Sequence, residues 1–247
     1  MAEDLGMMYL TRPTRPTQLL RATVLTMICG LGLAACTGGN EITPASNQVF
    51  EAGFQNIARR TAPEEERPPL TRAALGTVQV AALEVIIEHT DTLAYVFLDK
   101  TLRDSSPGQI QVWRSQDGAQ ISTRNGIIIN TRGLGGDVMS ATVPVTGTGA
   151  GPSHSGAQVL QIRAGAEKVW PATLTCDLVD MGPETLEIVE LKYGTRHLRQ
   201  VCEARANETE GVVINDYWVD SGRGIVWKSR QWAGPQLGYI RLRRLVE

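Results

Sequence analysis

Residues 109–131 read QIQVWRSQDGAQISTRNGIIINT, three short segments joined by glycine turns. Gln109–Arg114, Ala119–Thr123 and Gly126–Thr131 alternate apolar with polar side chains or run briefly apolar, as strands do. Asp117-Gly118 and Asn125-Gly126 separate them. Asn-Gly supplies two residues that tolerate positive φ, and between alternating segments it is the strongest local hairpin signal. This stretch predicts consecutive antiparallel hairpins.

The same pattern extends outward. Upstream lie candidate strands Leu83–His89 and Leu93–Leu98, with turns at Asp91 and Pro107-Gly108. Residues 145–156 (VTGTGAGPSHSG) form a low-complexity loop. Strands then resume at Thr173–Asp180, Thr185–Lys192, His197–Ala206, Val212–Asp220, Ile225–Trp232 and Tyr239–Leu245. Eleven short strands without an internal repeat predict a mainly β domain, either an antiparallel barrel or a sandwich. One or two short helices precede it. From Ser46, a plausible N-cap, Val49, Phe50, Phe54 and Ile57 fall on one helical face that ends at Arg59-Arg60. Pro63 to Pro69, with Glu64-Glu65-Glu66-Arg67 between, reads as a solvated linker.

Composition narrows the function classes. With 42% hydrophobic residues the chain of 247 is too apolar for disorder. Twenty-four basic residues against 26 acidic give a net charge of −2, so nucleic acid is not an expected partner.

The N-terminus carries a second signal. Arg12, Arg15 and Arg21 precede an apolar run from Ala22 to Ala35, too short to span a bilayer but suited to a signal-peptide core. It ends Leu33-Ala34-Ala35-Cys36, followed by Thr37-Gly38-Gly39-Asn40. Small residues before a cysteine look like a bacterial lipobox. Residues 1–35 are therefore expected to be a signal peptide, Cys36 the lipidated N-terminus, 36–46 a tether and 47–247 a single β-rich domain. Several acyl chains at Cys36 would hold the protein firmly on a membrane. Thr37, rather than Asp, follows the cysteine, a pattern that resembles sorting to the outer membrane, facing the periplasm, rather than retention at the inner membrane.

Cys29 leaves with the signal peptide and Cys36 is acylated, so export leaves Cys176 and Cys202 in an oxidising compartment. Both lie in alternating segments. Neighbouring strands could join them as a disulfide, with two independent buried thiols as the alternative.

Templates for chemistry fit poorly. His89, His154 and His197 stand apart without zinc-ligand spacing, and Gly151–Gly156 misses the nucleophile elbow by one position. No metal, cofactor or catalytic residue is assigned. Arg132–Asp137 (RGLGGD) lacks the Lys-Ser/Thr pair of a P-loop and reads as a demanding turn after a strand. Asp137, Asp216 and Asp220 keep a glycan-modifying hydrolase open as an alternative, since such an enzyme needs only two carboxylates.

Residues 211–247 hold Trp218, Trp227 and Trp232, three of the five tryptophans, and six of the basic residues. Lys228, Arg230 and Trp232 alternate along one side of a strand, where they could contact an anionic glycan; Trp227 is the better core residue. The competing reading has the tryptophans filling the core and the arginines facing solvent.

Asn215–Asp220 (NDYWVD) and Ile225–Pro235 (IVWKSRQWAGP) resemble the ending of the YjbF/GfcB-family lipoproteins, and Thr123–Gly126 (TRNG) and Thr131–Asp137 (TRGLGGD) resemble their central segment. With the lipobox, the likeness covers most of the mature chain. It implies an outer-membrane-associated lipoprotein with a β-barrel-like fold, encoded beside genes for exopolysaccharide or group 4 capsule secretion. It implies no catalytic residue. The expected partners are the membrane, through the lipid, together with exopolysaccharide and polysaccharide-export proteins. A purely structural part in a secretion complex is a further alternative.

Overall fold

A computed structural model describes residues 70–147, 149–164, 168–206 and 209–247. The signal peptide, Cys36, the tether, the helix expected from Ser46 and the linker Pro63–Pro69 lie outside the described residues. A short helix, α1 (Arg72–Leu75), is capped by Thr71, whose Oγ1 accepts from Ala74 N at 3.2 Å. Twelve strands follow: β1 (Ala82–Ile87), β2 (Thr92–Leu102), β3 (Ile110–Arg114), β4 (Gln120–Arg124), β5 (Ile127–Arg132), β6 (Val138–Thr142), β7 (Gly156–Ala164), β8 (Lys168–Ile188), β9 (Leu191–Ala206), β10 (Thr209–Asp220), β11 (Ile225–Trp232) and β12 (Tyr239–Val246).

All pairings are antiparallel within one sheet, in the order β5-β4-β3-β2-β1-β12-β11-β10-β9-β8-β7-β6. Two meanders thus join where β12 returns to β1, and the sheet curls into a nearly closed barrel. Its remaining edges, β5 and β6, meet without a backbone ladder and are tied by side chains. Asn130 Nδ2 donates to Val138 O at 3.2 Å and Met139 O at 2.9 Å, and Thr131 Oγ1 accepts from Val138 N at 3.0 Å. These bonds use edge groups that would otherwise invite another strand.

Period-two alternation fills the barrel. Leu83, Val85 and Ile87 of β1, Leu160 and Ile162 of β7, Leu174 and Cys176 of β8 and Ile240 and Leu242 of β12 share one buried cluster. Cys176 and Cys202 are cross-strand partners on β8 and β9 and form a disulfide inside it. The Asn-Gly hairpin forms as read: Asn125 and Gly126 take φ of 51° and 84°, joining Arg124 to Ile127. Gly126 has a second reason to be glycine, since a Cβ there would overlap the Val226 side chain.

Three elements differ from the sequence reading. Thr173–Asp180 and part of Thr185–Lys192 are one strand, β8. The apparent break at Gly182-Pro183 is a bulge at Met181, with Gly182 at φ 97°. Pro183 is tolerated because β7 pairs with β8 only as far as Cys176, which leaves one flank of the strand without a ladder there. The true reversal is at Val189-Glu190, both at positive φ, in a turn without Gly or Asn. Arg72 holds it: Nη2 donates to Ile188 O at 2.9 Å and Val189 O at 3.1 Å, while Nη1 donates to Leu245 O at 3.1 Å. Finally, β6 and β7 flank the predicted loop where no strands were expected. In β7 the buried Gln158 occupies an inward position and breaks the apolar pattern.

Candidate functional site

On β11, Lys228, Arg230 and Trp232 share the outer face, as alternation predicts, and each is half-buried. The ammonium of Lys228 lies 4.3 Å from the ring centre of Trp218, and His197 stacks on the same indole at 4.4 Å. Arg230 grips Glu88 with Nε at 2.9 Å and Nη2 at 2.8 Å, and its guanidinium carbon lies 3.4 Å from the centre of Tyr239. The Glu88 hydrogen bonds raise the pKa of this already basic group. Trp232 packs against the barrel core. Arg241 and Arg243 on β12 continue the cationic strip, paired with Glu88 at 3.4 Å and Glu84 at 2.7 Å.

Trp227 is buried, but not on the face of Ser229 and Gln231. The register steps from Trp218↔Lys228 to Val219↔Val226, leaving Trp227 as the extra residue of a bulge. Its indole joins an outer cluster with Leu75, Leu186, Ile188 and Leu245, and Tyr193 from the β8–β9 ribbon stacks on it at 3.7 Å.

The acidic residues considered for hydrolysis are committed to other bonds. Asp137 closes the glycine-rich turn by accepting from Gly133 N, Leu134 N and Thr131 Oγ1, each at 3.0 Å. Asp216 accepts from His197 Nε2 and Arg199 Nε, both at 2.8 Å, and Asp220 from Arg223 N at 3.1 Å. Among the described residues, no group of three His, Cys, Asp or Glu is placed to hold a metal ion.

A cavity of about 430 Å³ opens at one mouth of the barrel, between the β10–β11 turn and the ends of β2, β3 and β12. Its wall includes Arg103, Gln111, Trp113, Ser229 and Arg244. Arg244 is 8% exposed. Its Nη2 donates to Gln111 Oε1 at 3.0 Å, its guanidinium lies 4.9 Å from the centre of Trp113, and its Nε has no hydrogen-bond partner among the described residues. Burial pulls its pKa down to about 10, with Glu247 opposing that shift, so it stays charged at neutral pH. Deeper in the barrel, Gln158 Nε2 donates to Gln200 Oε1 at 3.1 Å, and the Tyr217 hydroxyl lies 3.3 Å from both Gln200 Oε1 and Gln231 Oε1. The sequence reading counted Arg244 only as one of six terminal basic residues. A signal for it existed: in a strand, adjacent Arg243 and Arg244 face opposite sides, so one of them must point inward.

The model of a family described as group 4 capsule polysaccharide lipoprotein gfcB, YjbF, matches residues 46–245. The chain belongs to the YjbF family. Membership places it among capsule-polysaccharide lipoproteins and associates it with a membrane. The crystal structure of the hypothetical lipoprotein YmcC from Escherichia coli (K12) has a similar fold, with a TM-score of 0.59 and 18% identity, over 82% of this chain and 94% of that one. None of the curated proteins compared with the chain matches it.

Proposed function

We propose that this YjbF-family protein is a periplasm-facing outer-membrane lipoprotein, anchored through Cys36, that assists capsule or exopolysaccharide export by holding glycan or an export protein without chemistry of its own. The observation that supports it is the family match across residues 46–245. The cationic strip of Lys228, Arg230, Arg241 and Arg243 on β11 and β12 supplies a surface for an anionic polymer.

Two measurements test this reading. Cys36→Ser is expected to abolish palmitate labelling and to release the protein from the membrane fraction, because only a thiol can receive the diacylglycerol. Continued labelling would remove Cys36 as the anchor. Wild-type protein should be retained on immobilised exopolysaccharide at low salt and elute as screening rises. Lys228→Ala, which removes a charge without breaking an ion pair among the described residues, should elute earlier. If wild type passes through at every ionic strength, the glycan contact fails and a protein-contact role takes its place.

A further inference from the structure

The barrel-mouth cavity has the wall of an anion site. Arg103, Arg223 and Arg244 line it, and among the described residues no Asp or Glu does. Arg223 is answered by Glu247 at 2.6 Å and Asp220 at 3.7 Å. Arg244 has no ion pair among the described residues; Glu247, committed to Arg223, acts on it only from beyond ion-pair distance. Buried arginines are ordinarily matched with a carboxylate, since taking the charge out of water is costly. Here Gln111, a neutral amide, is the one side chain hydrogen-bonded to the guanidinium among the described residues. Removing the partner of a buried charge leaves its desolvation uncompensated. A fold that keeps such a charge beside an open polar cavity has a place for a ligand to complete it.

We infer that the mouth cavity binds a carboxylate-bearing sugar unit of an acidic polysaccharide, its carboxylate received by Arg244. A guanidinium presents donors in a planar fork that matches a carboxylate. The cavity volume falls in the range of small-molecule sites and suits one or two sugar rings. Gln109 and Gln111 on the wall offer neutral partners for ring hydroxyls. Arg103, exposed at the rim and without an ion pair among the described residues, adds a second positive charge. This site rests on the polysaccharide reading above and deepens it.

The test is calorimetric titration with trigalacturonate, a neutral galactose trimer and inorganic phosphate, on wild type, Arg244→Gln and Arg103→Gln. Trigalacturonate should bind wild type, at least tenfold more weakly in Arg244→Gln and several-fold more weakly in Arg103→Gln. Arg244→Gln should melt no lower than wild type, since it relieves a buried charge that has no ion pair among the described residues; a purely structural arginine would lower the melting point. Unchanged trigalacturonate affinity in Arg244→Gln overturns the site. Should that variant fail to fold, unchanged affinity in Arg103→Gln does so instead. Equal binding of the neutral trimer overturns the carboxylate assignment, and phosphate as tight as the trimer makes this a free-anion pocket. Wild type that is retained on whole exopolysaccharide but ignores trigalacturonate overturns this site alone. Wild type that does neither overturns the polysaccharide reading as well.

Discussion

Trp227→Ala is expected to lower the unfolding free energy by about 3–5 kcal/mol, the usual cost of truncating a fully buried aromatic. The indole is 1% exposed and sits between the barrel wall and the tip of the β8–β9 ribbon. Its loss removes the contact surface for Leu186, Ile188 and Tyr193 at once, so the ribbon tip loses its seat. Urea unfolding gives the free energy, and proteolysis near Val189-Glu190 gives the local consequence. Cleavage should appear there in the variant under conditions where wild type is intact. Tyr193→Ala, which removes only the stacked lid, should cost about 0.5–1.5 kcal/mol beyond its buried area. A Trp227→Ala loss below 1 kcal/mol would show that the ribbon packs independently of the indole.

The second large effect belongs to the disulfide. Cys176 and Cys202 are 26 positions apart, and closing a loop of that size stabilises by roughly 3 kcal/mol in the chain-entropy model. The double replacement Cys176→Ala/Cys202→Ala should lower the melting temperature by about 6–12 °C for a domain of this size. Non-reducing peptide mapping should recover the linked pair from exported wild type. Both cysteines lie inside the barrel, at 2% and 0% exposure, so alkylation should require both unfolding and a reductant. Alkylation of both in denatured but unreduced protein would contradict the bridge.

The sequence was legible where the determinants are local. Asn125-Gly126 needs only its own two residues to turn the chain, and the alternation of Leu83, Val85 and Ile87 in β1 and of Ile240 and Leu242 in β12 states which face turns inward. The cysteine pair could be read because both partners sit in alternating segments. The Val189-Glu190 turn could not, because its support is Arg72, more than a hundred residues upstream. The sequence divided β8 into Thr173–Asp180 and Thr185–Lys192, where the structure has only a bulge. The same kind of irregularity misplaced Trp227: a strict period of two puts it beside Ser229, and one extra residue sends it to the outer cluster. At the site, alternation put Lys228, Arg230 and Trp232 on one face. It could not show that Glu88 and Tyr239 would claim Arg230, or that Arg244 would line a cavity, since those depend on which strands become neighbours.

The pairing of β1 with β12 has a consequence for the order in which the molecule can assemble. Glu84 lies opposite Arg243, so the first strand obtains its second neighbour only after the last strand has been made. The meander β1–β5 can form locally as soon as it emerges, but one flank of β1 stays open through the production of everything that follows. Closing so large a loop adds little free energy, because the entropic term grows only logarithmically with length. It does slow the search, and barrels dominated by distant pairings fold in milliseconds to seconds rather than microseconds. During that interval Leu83, Val85 and Ile87 sit on an open edge that any extended chain could join. A chain released before β12 therefore carries an adhesive strand at its front, and truncation at the C-terminus should be felt first as aggregation.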